Sequence, residues 1–276
     1  GRIHVYRPDD AELVQRRGEM EWVSQLNTAL QENRFVLHSQ RIISLEGCAG
    51  GPCCEFLLRL RGSDGKLNFP GAFLPAAERY DLMPKIDRWV LSHVFAHLAR
   101  EFSADSKKAG GIYFVNLSGA SLGDETFSHF VRDALSGSGI PPQSVCFEVT
   151  ETAAIANLSH ALSFIDYVKS LGCKVALDDF GTGLSSFSYL KTFASADYLK
   201  IDGGFVRDMT QDPIDYAMVE SINQIGHVMR IQTIAESVES EDVLAALKKL
   251  GVDYAQGYAL MQPQPWLPDT AHNPVL

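Results

Sequence analysis

Hydrophobic positions along this chain follow two alternating patterns. Short apolar runs, with the length and residue types of buried strands, are each followed by a stretch whose apolar positions recur at helical spacing. Ile112-Tyr113-Phe114-Val115, Val145-Cys146-Phe147, Val175-Ala176-Leu177, Tyr198-Leu199, Gln232-Thr233-Ile234-Ala235 and Tyr254-Ala255 read as strands. Phe127 to Leu135, Leu158 to Leu171, Tyr216 to Met229 and Val243 to Leu250 read as the helices between them, and Gly172 and Gly251 follow two of these as stops. Upstream, Ala11 to Asn33 places Met20, Trp22, Val23, Leu26, Ala29 and Leu30 on one helical face. Phe35 to Gln40 and Cys54 to Leu60 read as strands, joined by a hairpin-like Gly/Cys/Pro segment. Pro84 to Phe102 reads as a helix with Ile86, Trp89, Val90, Val94, Phe95 and Leu98 toward one side. Its His93 and His97 lie one turn apart. With no acidic partner at helix spacing on that side, they read as a half-buried face rather than a metal site.

Alternating strands and helices at this spacing mean parallel strands joined by right-handed crossovers. The six units and the two earlier runs give about eight strands, the number in a (β/α)8 barrel. A doubly wound open sheet is the alternative, but its ligands gather at one switch point fed by few strands. Here nearly every run ends in a polar residue: Asn116, Glu148, Asp178, Lys200, Glu236 and Gln256. In a closed barrel these ends ring one mouth.

The run ending in Asp178-Asp179-Phe180-Gly181-Thr182-Gly183 carries two adjacent carboxylates. Taken alone it reads as a solvated turn before glycine. Taken with Glu55, Asn116 and Glu148 it supplies a set of oxygen donors suited to one or two Mg²⁺ or Mn²⁺ ions. The absence of His and Cys from these strand ends disfavours zinc. Lys200 suits a phosphate or an activated water, and Glu236 a water-mediated ligand or a proton acceptor. Two metal ions close together suit in-line attack on a phosphodiester.

Composition narrows the class. The 276 residues are 46% hydrophobic and 21% charged, as in a folded globule with a sizeable core. A formal net charge of −10 argues against a broad grip on polymeric nucleic acid, but bound cations would still admit a small phosphate ligand. The five cysteines, Cys48, Cys53, Cys54, Cys146 and Cys173, form no disulfide framework. The first three, without a second Cys or His pair at zinc spacing, read as reduced thiols in a loop. No apolar run approaches membrane-spanning length, so no membrane contact is expected within this fragment. The chain begins at Gly rather than Met, which points to a piece of a longer protein.

Glu55-Phe56-Leu57-Leu58-Arg59 resembles the signature of the EAL-domain cyclic-di-GMP phosphodiesterases, with Phe56 in the alanine position. The likeness continues through Phe73-Leu74-Pro75, Asp87-Arg88-Trp89-Val90-Leu91, Val115-Asn116-Leu117-Ser118 and Phe147-Glu148-Val149-Thr150-Glu151. It runs on through Asp178 to Gly183, Leu199-Lys200-Ile201-Asp202, Ala235-Glu236-Ser237-Val238-Glu239 and Gln256-Gly257-Tyr258.

The resemblance implies an α/β fold, a modified (β/α)8 TIM-like barrel with its first strand antiparallel. It implies hydrolysis of cyclic di-GMP to linear pGpG with two divalent cations. Glu55, Asn116, Glu148, Asp178 and Asp179 would be metal ligands; with Glu55, Lys200 and Glu236 would be catalytic, the last two by positioning or activating water. Arg59 would meet a substrate phosphate, Gln256 would support the site, and Glu151 would anchor the mobile loop beginning at Asp179. A cytoplasmic location follows from the resemblance, with a membrane-anchored parent left open, as does a homodimer. A catalytically weak cyclic-di-GMP receptor is the alternative, expected to have lost ligands or the anchoring glutamate, all of which are present here. The implied boundaries are a linker or the tail of a preceding domain over 1–17, the catalytic domain over 18–268, and a tail over 269–276. Residues 1–6 resemble the end of a GGDEF domain. Arg41, Ser237 and Leu184 depart from the residues usual in the family (Pro, Gly and Tyr) without removing a ligand.

Overall fold

The computed structural model describes residues 11–45, 53–104, 110–181 and 190–266. Residues 1–6, Cys48, Leu184 and most of the Gly/Cys/Pro segment lie outside them.

Among the described residues, eleven strands form one sheet. They are β1 (Phe35–Arg41), β2 (Ile43–Ser44), β3 (Cys53–Arg61), β4 (Leu67–Asn68), β5 (Ile112–Leu117) and β6 (Val145–Thr150). The others are β7 (Lys174–Phe180), β8 (Tyr198–Ile201), β9 (Gln232–Ala235), β10 (Tyr254–Ala255) and β11 (Gln264–Pro265). From β3 through β5 to β10, each neighbouring pair is parallel. β1 runs antiparallel to β3, with Gln40 opposite Glu55, and β2 runs antiparallel to β10, with Ile43 opposite Ala255. Only Ile42 separates β1 from β2. One stretch of chain therefore pairs with both ends of the parallel array and closes it as a barrel with a reversed first strand.

The long helices Glu125–Ser138, Leu158–Ser170, Pro213–Val228 and Glu241–Leu250 cover the barrel, and each matches a predicted amphipathic stretch. Their ends carry the expected chemistry. Asp124, Asp212 and Ser240 cap the first, third and fourth through their side chains. Gly251 follows the last helix at φ 72°, where a glycine avoids the left-handed penalty. Because helices lie outside and side chains fill the inside, central strands are buried on both faces. That is why β6 and β8 read as continuous apolar runs rather than alternating ones.

Two apolar regions result. The larger lies between strands and helices, where Phe164 meets both Phe127 and Phe147, ring centroids 6.2 and 6.0 Å apart. The smaller, formed by Ile42, Phe114, Cys146, Ala176, Tyr198 and Ile234, fills the barrel interior.

Two sequence readings need correction. The loop reading of Cys53 and Cys54 gives way to the strand reading that begins at Cys54: both residues belong to β3, because the hairpin returns one residue earlier than the Gly/Pro signal suggested. His97 does have an acidic partner at helix spacing: Glu101 Oε1 lies 3.5 Å from its Nε2, four residues along the helix Met83–Ala104. The reading of that face as half-buried stands. His93 stacks on Trp89 with ring centroids 3.8 Å apart, and His97 packs on Trp266.

Candidate metal centre

The interior apolar layer determines what stands above it. Side chains along a strand point to the same side every second residue. Two residues after Phe114, Cys146, Ala176, Tyr198 and Ile234 come Asn116, Glu148, Asp178, Lys200 and Glu236. Two residues after Tyr254, which packs against the same layer, comes Gln256. The polar ends predicted from the sequence thus form one layer directly over an apolar plug. β1 and β3 add Gln40 and Glu55 at the same level.

Lys200 is the centre of this layer. Its Nζ lies 2.7 Å from Glu236, 2.9 Å from Glu148, 3.1 Å from Asp178 and 3.4 Å from Glu55. The lysine is 1% exposed. Glu55 is held on three sides: Asn116 Nδ2 donates to its Oε1 at 2.6 Å, Gln256 Nε2 donates to its Oε2 at 2.8 Å, and Lys200 faces it. Gln256 Nε2 also donates to Gln40 Oε1, and Gln40 Nε2 donates in turn to the carbonyl of Met261. Gln40 is a site residue that the strand-end pattern missed. It lies near the C-terminal end of β1, which runs opposite to the parallel strands, so that end points away from the mouth.

Asp178 and Asp179 diverge because Asp179 takes a left-handed backbone, φ 54°, which Asp tolerates better than most residues. Asp178 Oδ1 accepts from the Asp179 amide at 3.0 Å. One carboxylate oxygen from each of Asp178, Asp179 and Glu236 lies within 4.8 Å of the others. Glu236, read from sequence as a residue acting on water, therefore also stands where it can share an ion with the aspartates. Glu151, at the start of the short helix Glu151–Ala156, accepts a hydrogen bond from the Gly181 amide at 3.0 Å, just after β7. Arg59 lies on the same face of β3 as Glu55, four residues toward the mouth. Its guanidinium stands over the exposed Phe69 ring at 4.9 Å, and its Nη1 donates to the Leu58 carbonyl.

Charge in this layer is unbalanced. Four carboxylates converge on one ammonium, and Asp179 lies beside them. Burial, reinforced by Glu55, holds the Glu148 carboxyl well above the usual carboxylate range. Burial and the neighbouring Asp178 and Asp202 push Asp179 up to about 6. Burial, with Asp178 and Glu55, pushes Glu236 up to about 8 against the opposing pull of Lys200. Burial would raise Glu55 too, but Lys200, Gln256 and Asn116 bring it below its ordinary value. Burial alone would discharge Lys200, yet the surrounding acids raise it well above the ordinary lysine range. Both Glu148 oxygens are buried without a hydrogen bond of good geometry, the Lys200 contact being an ion pair. Excess buried anion and orphaned carboxylate oxygens are what hard divalent cations neutralise, so the donor set fits Mg²⁺ or Mn²⁺.

The EAL domain family model matches residues 23–263, almost the whole of this barrel. The chain belongs to the EAL domain family. Among curated relatives, the cyclic di-GMP phosphodiesterase PdeB of Shewanella oneidensis is 38% identical over 263 residues, 95% of this chain and 30% of the relative. The cyclic di-GMP phosphodiesterase PdeF of Escherichia coli is 36% identical over 92% of this chain and 34% of its own length. This EAL domain thus spans about a third of the length of the curated relatives it matches. The solved FimX EAL domain from Pseudomonas aeruginosa, bound to c-di-GMP, is 33% identical with a TM-score of 0.81, covering 89% of this chain and 97% of that one. No helix among the described residues of this EAL domain is long and apolar enough to cross a membrane.

Proposed function

We propose that this EAL domain hydrolyses cyclic di-GMP to linear pGpG with two divalent cations, Mg²⁺ or Mn²⁺. The observation that carries the reading is the buried surplus of carboxylates around Lys200, with Glu148 lacking hydrogen bonds of its own. A set built to bind a neutral or anionic ligand without cations would not concentrate unneutralised anion in one buried layer. The relatives named as cyclic di-GMP phosphodiesterases support the substrate.

Glu55, Asn116, Glu148, Asp178 and Asp179 would hold the cations, with Glu236 close enough to Asp178 and Asp179 to join them. The cations supply charge neutralisation for the phosphodiester and a more acidic bound water. The residues do the rest. Asn116 and Gln256 fix the rotamer of Glu55. Lys200, as an ammonium, and Glu236, 2.7 Å apart, would hold the attacking water, and the Glu236 carboxylate would receive its proton. Water attacks phosphorus, the bond to the 3′ oxygen breaks, and that oxygen leaves with a proton, so the phosphate stays on the 5′ side of pGpG. Arg59 at the rim would bind the second phosphate. Glu151 holds the Gly181 end of β7 and with it the aspartate pair.

The test is incubation of purified protein with cyclic di-GMP and Mg²⁺ or Mn²⁺, with nucleotides resolved chromatographically. Accumulation of pGpG is expected. Full-strength cyclic di-GMP binding without turnover in both metals would replace the enzyme by a receptor.

A further inference from the structure

Asp87 is a buried carboxylate outside the layer described above. It lies on the helix Met83–Ala104 and is 4% exposed. One of its oxygens, Oδ2, takes three hydrogen bonds: from the Ser118 amide at 3.0 Å, from Ser118 Oγ at 2.7 Å and from Ser121 Oγ at 2.7 Å. Ser118 in turn caps the four-residue helix Gly119–Leu122 through its side chain. All three donors belong to the turn that begins two residues after Asn116, where β5 leaves the barrel. Asn116 is more exposed than its strand neighbours, so little packing from above fixes its side chain. Its 2.6 Å bond to Glu55 therefore depends on where the strand end is held.

We propose that Asp87 is a positioning residue for the metal centre, acting through the Ser118–Ser121 turn on Asn116. The proposal rests on the metal-dependent reading above. A side chain that orients a ligand from behind typically changes metal affinity by about 10- to 100-fold when removed. Because Asp87 acts through a backbone turn, the lower end of that range applies, and the conservative amide retains an acceptor oxygen for the same donors.

The experiment is equilibrium Mn²⁺ binding to the purified protein, read from the magnetic resonance signal of free Mn²⁺ and paired with melting curves in chelator. Asp87→Ala is expected to weaken Mn²⁺ binding about tenfold. Asp87→Asn should restore most of it, and Ser121→Ala, which loses one donor of three, should weaken it by a smaller factor. In an Asn116→Ala background, Asp87→Ala should add little, since the residue it positions is gone. Wild-type Mn²⁺ affinity in both Asp87→Ala and Ser121→Ala overturns the proposal. So does an Asp87→Ala effect that is undiminished when Asn116 is absent. Should Asp87→Ala not fold, Ser121→Ala and Asp87→Asn carry the same test. A wild-type protein that binds no Mn²⁺ overturns the metal-dependent reading itself, which separates the two failures.

Discussion

Two layers of the barrel interior, one pleat apart on the same strands, are built on opposite rules. The lower layer, Ile42, Phe114, Cys146, Ala176, Tyr198 and Ile234, is apolar and closely filled. The upper layer puts four carboxylates around one ammonium with less than full compensation. The lower layer gains stability from burial, while the upper layer gives stability up. A buried carboxylate such as Glu148, whose oxygens have no hydrogen-bond donor beyond the ion pair with Lys200, costs free energy that the surrounding structure must offset. The contrast shows where folding ends and chemistry begins along each strand: at the last interior residue before the loop.

Substitutions in the two layers should therefore fail in different ways. The largest effect on stability belongs below. Phe114, fully buried with its ring 5.2 Å from Tyr198, leaves a cavity in Phe114→Ala that should cost about 3–5 kcal/mol in denaturant unfolding. A loss under about 1 kcal/mol would mean that the lower layer is not a packed core. Next in size is the upper layer. Asp178→Ala or Glu55→Ala should cut turnover by about 10²–10³-fold, as removal of a group that stabilises the reacting charge does elsewhere, while leaving the melting temperature in chelator unchanged or higher. Wild-type rates in either variant would refute the assigned site.

A smaller effect concerns pH. Glu236 is raised to about 8 and Asp179 to about 6, so between the ordinary carboxylate range and those values the folded chain holds protons that the unfolded chain has released. Stability in chelator should fall as pH rises through that window, because the folded state binds more protons. Burial is the largest cause of the shift, and Asp178, Glu55 and Asp202, which face these groups, add to it; Lys200 opposes it and stays charged throughout. Glu236→Gln should flatten the upper part of the melting profile, and an unchanged profile would contradict the charge imbalance. The smallest effect is at the edge of the upper layer. Ser237 adopts φ 51° beside Glu236, so Ser237→Gly should stabilise the fold by up to about 1 kcal/mol with turnover retained. A loss of stability would show that the contact of Ser237 with Gly203 outweighs the backbone strain.

Much of this contrast was legible in the sequence. Apolar runs with a polar residue at each end specify strands buried on both faces and a ring of donors at one mouth. Less legible were the elements too short to show a period. The helices Gly119–Leu122, Glu151–Ala156 and Gly203–Asp208 follow strand ends and are specified by caps at Ser118, Thr150 and Asp202. The strand β11 exists only because β1 lies beside it, a long-range pairing with no local signal. Gln40 escaped for the same reason as the closure of the barrel: it ends a strand that runs opposite to the parallel array, so a rule about the strand ends gathered at one mouth does not include it. Asp87 sits on an amphipathic helix where one buried acid looks like any polar exception. The pairing of His97 with Glu101 is readable in the sequence at four-residue spacing.

The most direct test of the polar layer as a hydrolytic metal centre is to follow pGpG formation while divalent cations are removed and restored in one sample. Turnover should stop on complete chelation and return on addition of Mn²⁺, with the fold intact throughout by circular dichroism. Turnover that continues undiminished in the chelated protein would contradict the assignment of the carboxylate layer as a metal centre.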